Sequence, residues 1–145
     1  MKVIAENRRA RFDYEILETV EAGIMLTGPE VKSCRAGHVN LAGAYVSFRD
    51  GKAILKNVSI SAYAFAANIP HEEKRDRTML LKSSELKKLT TRAEEKGLSV
   101  VPLAMHVGRF VKVLLGIGRG RKKTDKRQRI KEREVARKLK QTGDY

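Results

Sequence analysis

With 145 residues and 31 Lys and Arg against 17 Asp and Glu, the chain has the size of one small domain and a net charge of +14, the charge of a polyanion binder. A hydrophobic fraction of 41% excludes wholesale disorder, and no apolar run nears the roughly 20 residues of a membrane helix. The charged start, Met1 to Arg11, lacks the apolar stretch of a secretory signal. The single Cys excludes an internal disulfide framework or a multi-Cys zinc site, which fits a reducing cytoplasm.

The segment Asn7-Arg8-Arg9-Ala10-Arg11 is short and basic. Phe12, Tyr14 and Ile16 then alternate with polar residues, the period of a strand. Glu21-Ala22-Gly23 reads as a turn, with Ile24-Met25-Leu26 returning as the second arm of a hairpin. Gly28-Pro29 breaks that arm. Pro29 suits a first helical turn, Glu30 suits the positive end of the helix dipole, and Val31 and Cys34 share a face. A short helix over Pro29 to Ala36 is predicted.

Asp50-Gly51 lies between Tyr45–Phe48 and Ala53–Leu55, a strong hairpin signal because Gly tolerates positive φ. Val58 and Ile60 extend the second arm. Ala66 to Thr78 is polar and reads as a loop, and Met79-Leu80-Leu81 as a short strand or the approach to a helix. Ser83 or Ser84 caps a helix with apolar positions Leu86, Leu89 and Ala93, stopped at Gly97. Leu98 to Val107 is β-rich, and Pro102 marks it as an edge strand or a bulge. Gly108-Arg109 turns the chain into a last strand, Phe110 to Leu115. The alternating Gly116, Gly118 and Gly120 read as a hinge rather than a nucleotide loop, since no GxGxxG or βαβ pattern surrounds them.

About six short strands and two inserted helices give a mainly β body, a small barrel or sandwich. The positive excess divides at Gly116. Residues 1–116 carry +6, and residues 117–145 carry +8. Within the second segment Ile130, Val135, Ala136 and Leu139 make an apolar stripe too narrow to dock firmly on the body. It is expected to be disordered when free and helical against a polyanion.

Chemistry-bearing groups are sparse. His38, His71 and His106 are far apart and lack metal-spaced partners, so each reads as a surface or structural residue. Cys34 reads as a small core residue. Glu72 and Glu73 sit among Lys74, Arg75 and Arg77 as a solvated charge cluster. No catalytic constellation, metal site or cofactor site is expected.

Several stretches form an ordered set: Asn7-Arg-Arg-Ala-Arg-Phe-Asp-Tyr14, Glu21-Ala-Gly23, Gly28-Pro-Glu-Val-Lys-Ser33, Arg35-Ala-Gly37 and Asn40-Leu-Ala-Gly-Ala-Tyr45. Lys96-Gly-Leu-Ser-Val-Val-Pro-Leu103, Val111-Lys-Val113, Asp125-Lys-Arg127 and Lys131-Glu-Arg133 follow. From Asn7 to Arg137 the chain resembles the small protein B family, the SsrA-binding proteins of bacterial trans-translation. The resemblance implies an antiparallel, oligonucleotide-binding-like (OB-fold-like) barrel with inserted helices. It further implies a non-enzymatic cytoplasmic adaptor, a monomer without cofactor. Such an adaptor binds the tRNA-like domain of transfer-messenger RNA and brings it to stalled ribosomes.

Carried over residue by residue, the RNA face includes Asn7, Glu21 and Leu80. Arg8, Arg9, Arg11, Lys32, Arg35, Arg75 and Arg77 are expected to supply phosphate contacts. The tail, with Arg119, Gly120, Arg121, Lys122, Lys123, Thr124, Asp125, Lys126, Arg127, Lys131 and Arg133, is expected to contact 16S ribosomal RNA. It would do so near the decoding centre, in the empty mRNA channel. Three positions depart from the family pattern. Phe12 stands where many relatives have His, and Thr78 where a basic residue is usual. Thr124 stands where His or Tyr is common, and it has no ring to stack.

Overall fold

A computed structural model describes residues 2–62, 72–121, 127 and 130–134. In chain order its elements are β1 (Lys2–Glu6), α1 (Arg8–Asp13), β2 (Tyr14–Ile24), α2 (Gly28–Arg35), β3 (Val39–Asn40) and β4 (Tyr45–Arg49). There follow β5 (Lys52–Lys56), β6 (Ser59–Ile60), β7 (Arg77–Leu80), α3 (Ser83–Glu94), β8 (Leu98–Val107) and β9 (Val111–Gly120). Seven strands form one antiparallel sheet in the order β1-β8-β9-β2-β7-β5-β4, and β3 pairs with β6 separately. Among the described residues no ladder joins β1 to β4, so the sheet curls without closing.

Strand alternation divides the sheet into two faces. On the inner face Ala22, Leu55, Met79, Met105, Val113, Leu115 and Ile117 form the main core, with Cys34 of α2 and Leu89 of α3 packed into it. On the outer face Ala10 of α1 packs with Val101 and Leu103 of β8, flanked by Tyr14, Ile16 and Leu114. Two glycines of β9 make room for this second layer. A Cβ at Gly116 would lie 2.6 Å from Leu103 Cδ1, and one at Gly118 would lie 2.9 Å from Tyr14 Cβ. Side chains on β8 and β2 therefore lie flat across the glycines, and α1 sits above them.

Several local readings hold. α2 starts one residue earlier than predicted, and Thr27 caps it. Its hydroxyl accepts from the Glu30 N–H at 3.3 Å, and the Glu30 carboxylate accepts from the Thr27 N–H at 2.9 Å. The β4–β5 hairpin turns at Asp50 (φ 52°) and Gly51 (φ 72°), both left-handed, as a two-residue loop requires. Pro102 lies at a register shift between Pro102 and Ala104, in an interior strand and not at an edge.

Other readings are corrected. Phe12 is helical, because Asn7 caps a short α1 instead of leading into a strand. Glu21-Ala22-Gly23 is no turn: β2 runs unbroken to Ile24, because its partners continue from β9 onto β7. Ile60 pairs with Val39 in the separate ribbon and does not extend β5. Lys82, not Ser83 or Ser84, precedes α3 as its N-cap, with its N–H bonded to Glu85. Gly116, Gly118 and Gly120 belong to β9 and form no hinge, because the sheet continues through them to Tyr14. In the tail, Arg127 and residues 130–134 are helical. Most of the tail, Lys122 to Lys126 included, lies outside the described residues, as does the expected loop up to His71.

Candidate nucleic-acid interface

Because α1 covers one half of the outer face, the other half stays open. Its rows follow from the register. Glu21 of β2 lies opposite Leu114 of β9, and Gly23 lies opposite both Lys112 of β9 and Leu80 of β7. His106 of β8 lies opposite Lys112 on the other side. Glu21 is thus flanked by two basic side chains distant in sequence. Its Oε1 accepts from Lys112 Nζ at 3.1 Å, and its Oε2 lies 3.1 Å from His106 Nε2. These contacts, with Lys112 first and His106 second, hold the Glu21 carboxyl below its usual range despite some desolvation. The ionised carboxylate is neutralised locally and its orientation is fixed.

Leu80 stands beside this triad with 56% of its surface exposed. It has open space above Gly23, where any larger residue would crowd it: a Cβ there would lie 3.2 Å from Leu80 Cβ. A cavity of about 470 Å³ runs along Leu80, Met25, Thr78 and Lys52. Exposed Arg8, Arg9 and Arg11 of α1 flank the face at one end. Arg109 and the 67%-exposed Phe110 flank it at the other, on the β8–β9 hairpin. The chemistry available is that of an RNA-reading surface: guanidinium and ammonium groups for phosphates, apolar and aromatic surface for unstacked bases, one oriented carboxylate for a base edge. Among the described residues no His, Cys, Asp or Glu cluster could hold a metal.

The expected site residues divide into two groups. Glu21, Leu80, Arg8, Arg9 and Arg11 border this open face. Asn7 is nearby but buried, with 6% exposure. Its Oδ1 accepts from the Ala10 N–H at 3.2 Å, and its Nδ2 donates to Pro102 O at 2.9 Å. Asn7 therefore caps α1 and fastens it to β8. Lys32 is exposed on α2. Arg35, also on α2, donates to the Gly108 and Arg109 carbonyls at 3.3 and 3.1 Å and braces the hairpin.

Arg75 and Arg77 serve the interior. Arg77 is fully buried. Its Nε donates to Glu30 Oε2 at 2.7 Å, and its remaining nitrogens donate to the carbonyls of Val58, Arg75 and Glu73. Arg75 donates to both oxygens of Glu30. Burial pushes the Glu30 carboxyl up, but Arg75, the Thr27 N–H and Arg77 outweigh it and hold it at about 2. The expectation of a phosphate contact at Arg77 does not fit this geometry, since its guanidinium has no path to solvent. Cys34 lies near this cluster, and burial pushes its thiol up to about 11, so it stays protonated, as a core residue should.

Lys112 and His106 escaped sequence reading. For Lys112 a signal existed: it interrupts an apolar strand with the alternation of an outward-facing position. For His106 there was none, because its partner lies 85 residues away.

The family model described as "SmpB protein" matches residues 4–144. The chain belongs to this family. It is 50% identical over 141 residues to the SsrA-binding protein of Synechococcus sp. (strain JA-3-3Ab), covering 96% of this chain and 92% of that one. It is 46% identical to the SsrA-binding protein of Coprothermobacter proteolyticus, covering 99% and 97% of the two chains. Among solved structures, one described as "tmRNA-SmpB: a journey to the center of the bacterial ribosome" superposes with a TM-score of 0.68 at 44% identity. That match covers 86% of this chain and 92% of the other. The mainly β, antiparallel fold expected from the sequence is the fold of this family. Among the described residues no helix is long and apolar enough to cross a membrane.

Proposed function

We propose that the protein is an RNA-binding adaptor of trans-translation: it holds the tRNA-like domain of transfer-messenger RNA on its open outer face and delivers it to stalled ribosomes. Family membership over nearly the whole chain carries this reading, and relatives named for binding SsrA support it. The face between α1 and the β8–β9 hairpin suits the task. Its open half lies around Lys112 of β9, Glu21 of β2 and Leu80 of β7, beyond the part of the strand that α1 covers at Gly116 and Gly118.

On this reading Glu21, Lys112 and Leu80 contact bases or riboses, and Arg8, Arg9 and Arg11 contact phosphates. Asn7 acts indirectly by holding α1 in place. The basic arm follows β9, from Arg121 onward. Arg119, Gly120, Arg121, Lys122, Lys123, Thr124, Asp125, Lys126, Arg127, Lys131 and Arg133 meet 16S ribosomal RNA along the mRNA channel near the decoding centre. The protein then works in the cytoplasm, as a monomer, without catalysis of its own.

The test is binding to the tRNA-like domain of transfer-messenger RNA and to an elongator tRNA, both at the same stated salt. Selective binding to the former is expected. Equal affinities would replace the adaptor by a general RNA-binding protein. Truncation after Gly120 should keep RNA binding and abolish tagging on stalled ribosomes; tagging by the truncated chain would overturn the role of the arm.

A further inference from the structure

His106 is the titratable side chain of β8, and neighbouring strands face it from both sides. On β9 it lies opposite Lys112, and across β9 its Nε2 reaches Glu21 Oε2 at 3.1 Å. On β1 it lies opposite uncharged Val3, with Lys2 and Glu6 farther along that strand, opposite Val107 and Ala104. Arg109 stands on the hairpin that follows. The His106 side chain is 13% exposed, so the ring is held in place yet keeps an opening to the outer face.

An ionised carboxylate only accepts hydrogen bonds, and Lys112 and His106 keep Glu21 ionised. Nε2 therefore carries the hydrogen of this contact. That fixes the tautomer of the neutral ring, in which Nδ1 is the bare nitrogen. Among the described residues Nδ1 has no hydrogen-bond partner, and it is not sealed from solvent. It is the atom at which a second proton comes and goes.

The charge of the trio follows. Glu21 and Lys112 cancel, so the neutral ring leaves the trio at zero and the imidazolium brings it to a single positive charge. A bare Nδ1 presents a lone pair to a phosphate, whereas a protonated one presents an N–H and a positive charge. A phosphate therefore favours the protonated ring, and by linkage a bound phosphate makes the ring hold its proton more tightly.

We propose that His106 is a positioning residue of the RNA site and also its proton switch: Nε2–H holds the Glu21 carboxylate in place, and Nδ1 takes up a proton from solvent as an RNA phosphate settles beside it. The proposal rests on the RNA-binding reading above. Because the ring gains a proton on binding, its contribution to affinity is present at low pH and is lost as pH rises.

The test uses the full chain and a transcript of the tRNA-like domain of transfer-messenger RNA at one stated salt. Histidine changes charge between about pH 5 and pH 8. Across that range affinity should fall roughly tenfold as pH rises. His106→Gln keeps a donor for Glu21 but cannot titrate, so its affinity should vary far less with pH. His106→Phe can neither hold Glu21 nor titrate, and it should bind more weakly than His106→Gln throughout. His38→Gln and His71→Gln should keep the pH dependence. Unchanged methyl shifts at Met105 and Val113 confirm that both His106 variants keep the sheet. Independently of any variant, mixing the unsubstituted chain with the transcript in weak buffer near pH 6.5 should take up protons. A pH dependence that survives in His106→Gln, or mixing without proton uptake, overturns the switch. Equal affinities of His106→Gln and His106→Phe overturn the positioning role. Either result leaves the RNA-binding reading intact, whereas a transcript that binds at no pH defeats that reading and this proposal with it.

Discussion

Glu30 and Glu21 are each gripped by two basic side chains, and they do opposite work. Glu30 is 1% exposed, and its partner Arg77 is fully buried. Three elements or their flanks converge on this pair: Thr27 and α2, the Val58 carbonyl beside β6, and the Glu73–Arg77 approach to β7. Glu21, Lys112 and His106 instead stand on the outer face, and the Glu21 side chain is 38% exposed. The same charge pattern is structural where water is excluded and available to a partner where it is not. Burial, not composition, separates the two roles.

Breaking the buried cluster should have the largest effect. Arg77→Ala leaves the Glu30 carboxylate buried beside one remaining partner, and stability should fall by roughly 3–5 kcal/mol in chemical denaturation. A loss below about 1 kcal/mol would mean that the pair is dispensable to the fold.

Acid should act next most strongly, on the same carboxylate. The Glu30 carboxyl drops from 4.5 to about 2 on folding. A depressed folded value means stability present above the unfolded value and lost as pH falls through the folded one. Glu30 should therefore contribute roughly 3 kcal/mol at neutral pH, lost between about pH 5 and pH 2. Urea midpoints across that window measure it, and a flat profile would contradict it. Glu21 is depressed in the same direction but is solvated, so it should add little to this slope.

Gly116→Ala probes the layer between these two sites. Its new Cβ would strike Leu103, part of the seat of α1. Stability should fall by about 1–3 kcal/mol, and the shifts of Ala10 should move with it. Unmoved Ala10 signals would show that α1 does not depend on the glycine floor.

The smallest stability change belongs to the open face. Glu21→Ala and Lys112→Ala should each alter stability by less than about 1 kcal/mol, while RNA affinity falls roughly tenfold. Lys112→Ala should be the worse of the two, because it leaves Glu21 unneutralised in front of phosphates. Filter binding at fixed salt ranks them, and unchanged affinity in both would remove this face from the interface. Asn7→Ala is a poor probe of RNA contact, because loss of its cap costs about 1 kcal/mol and loosens α1.

The sequence was legible wherever a local rule decided the structure. Asp50-Gly51 dictated its hairpin, and Gly28-Pro29-Glu30 announced α2. It misled where tertiary contacts override local pattern. α1 has six residues, too few to be stable alone, and it exists because Asn7 reaches Pro102 and Ala10 reaches Leu103. The alternation of Phe12, Tyr14 and Ile16 therefore imitated a strand. The resemblance placed Glu21 and Leu80 on one face, but not the partners of Glu21, which come from β8 and β9. Arg77 looked like one more member of a solvated charge run. Only its phase with Met79, two residues on in a strand, hinted that it points inward.

Continuity of β9 through its glycines fixes where the arm begins. Gly120 pairs with Tyr14 inside the sheet, so the strand ends at one edge of the outer face. The sheet thus acts as a fixed origin and the chain beyond it as a graduated ruler: Arg133, 13 residues past Gly120, can touch nothing farther than about 45 Å from that edge.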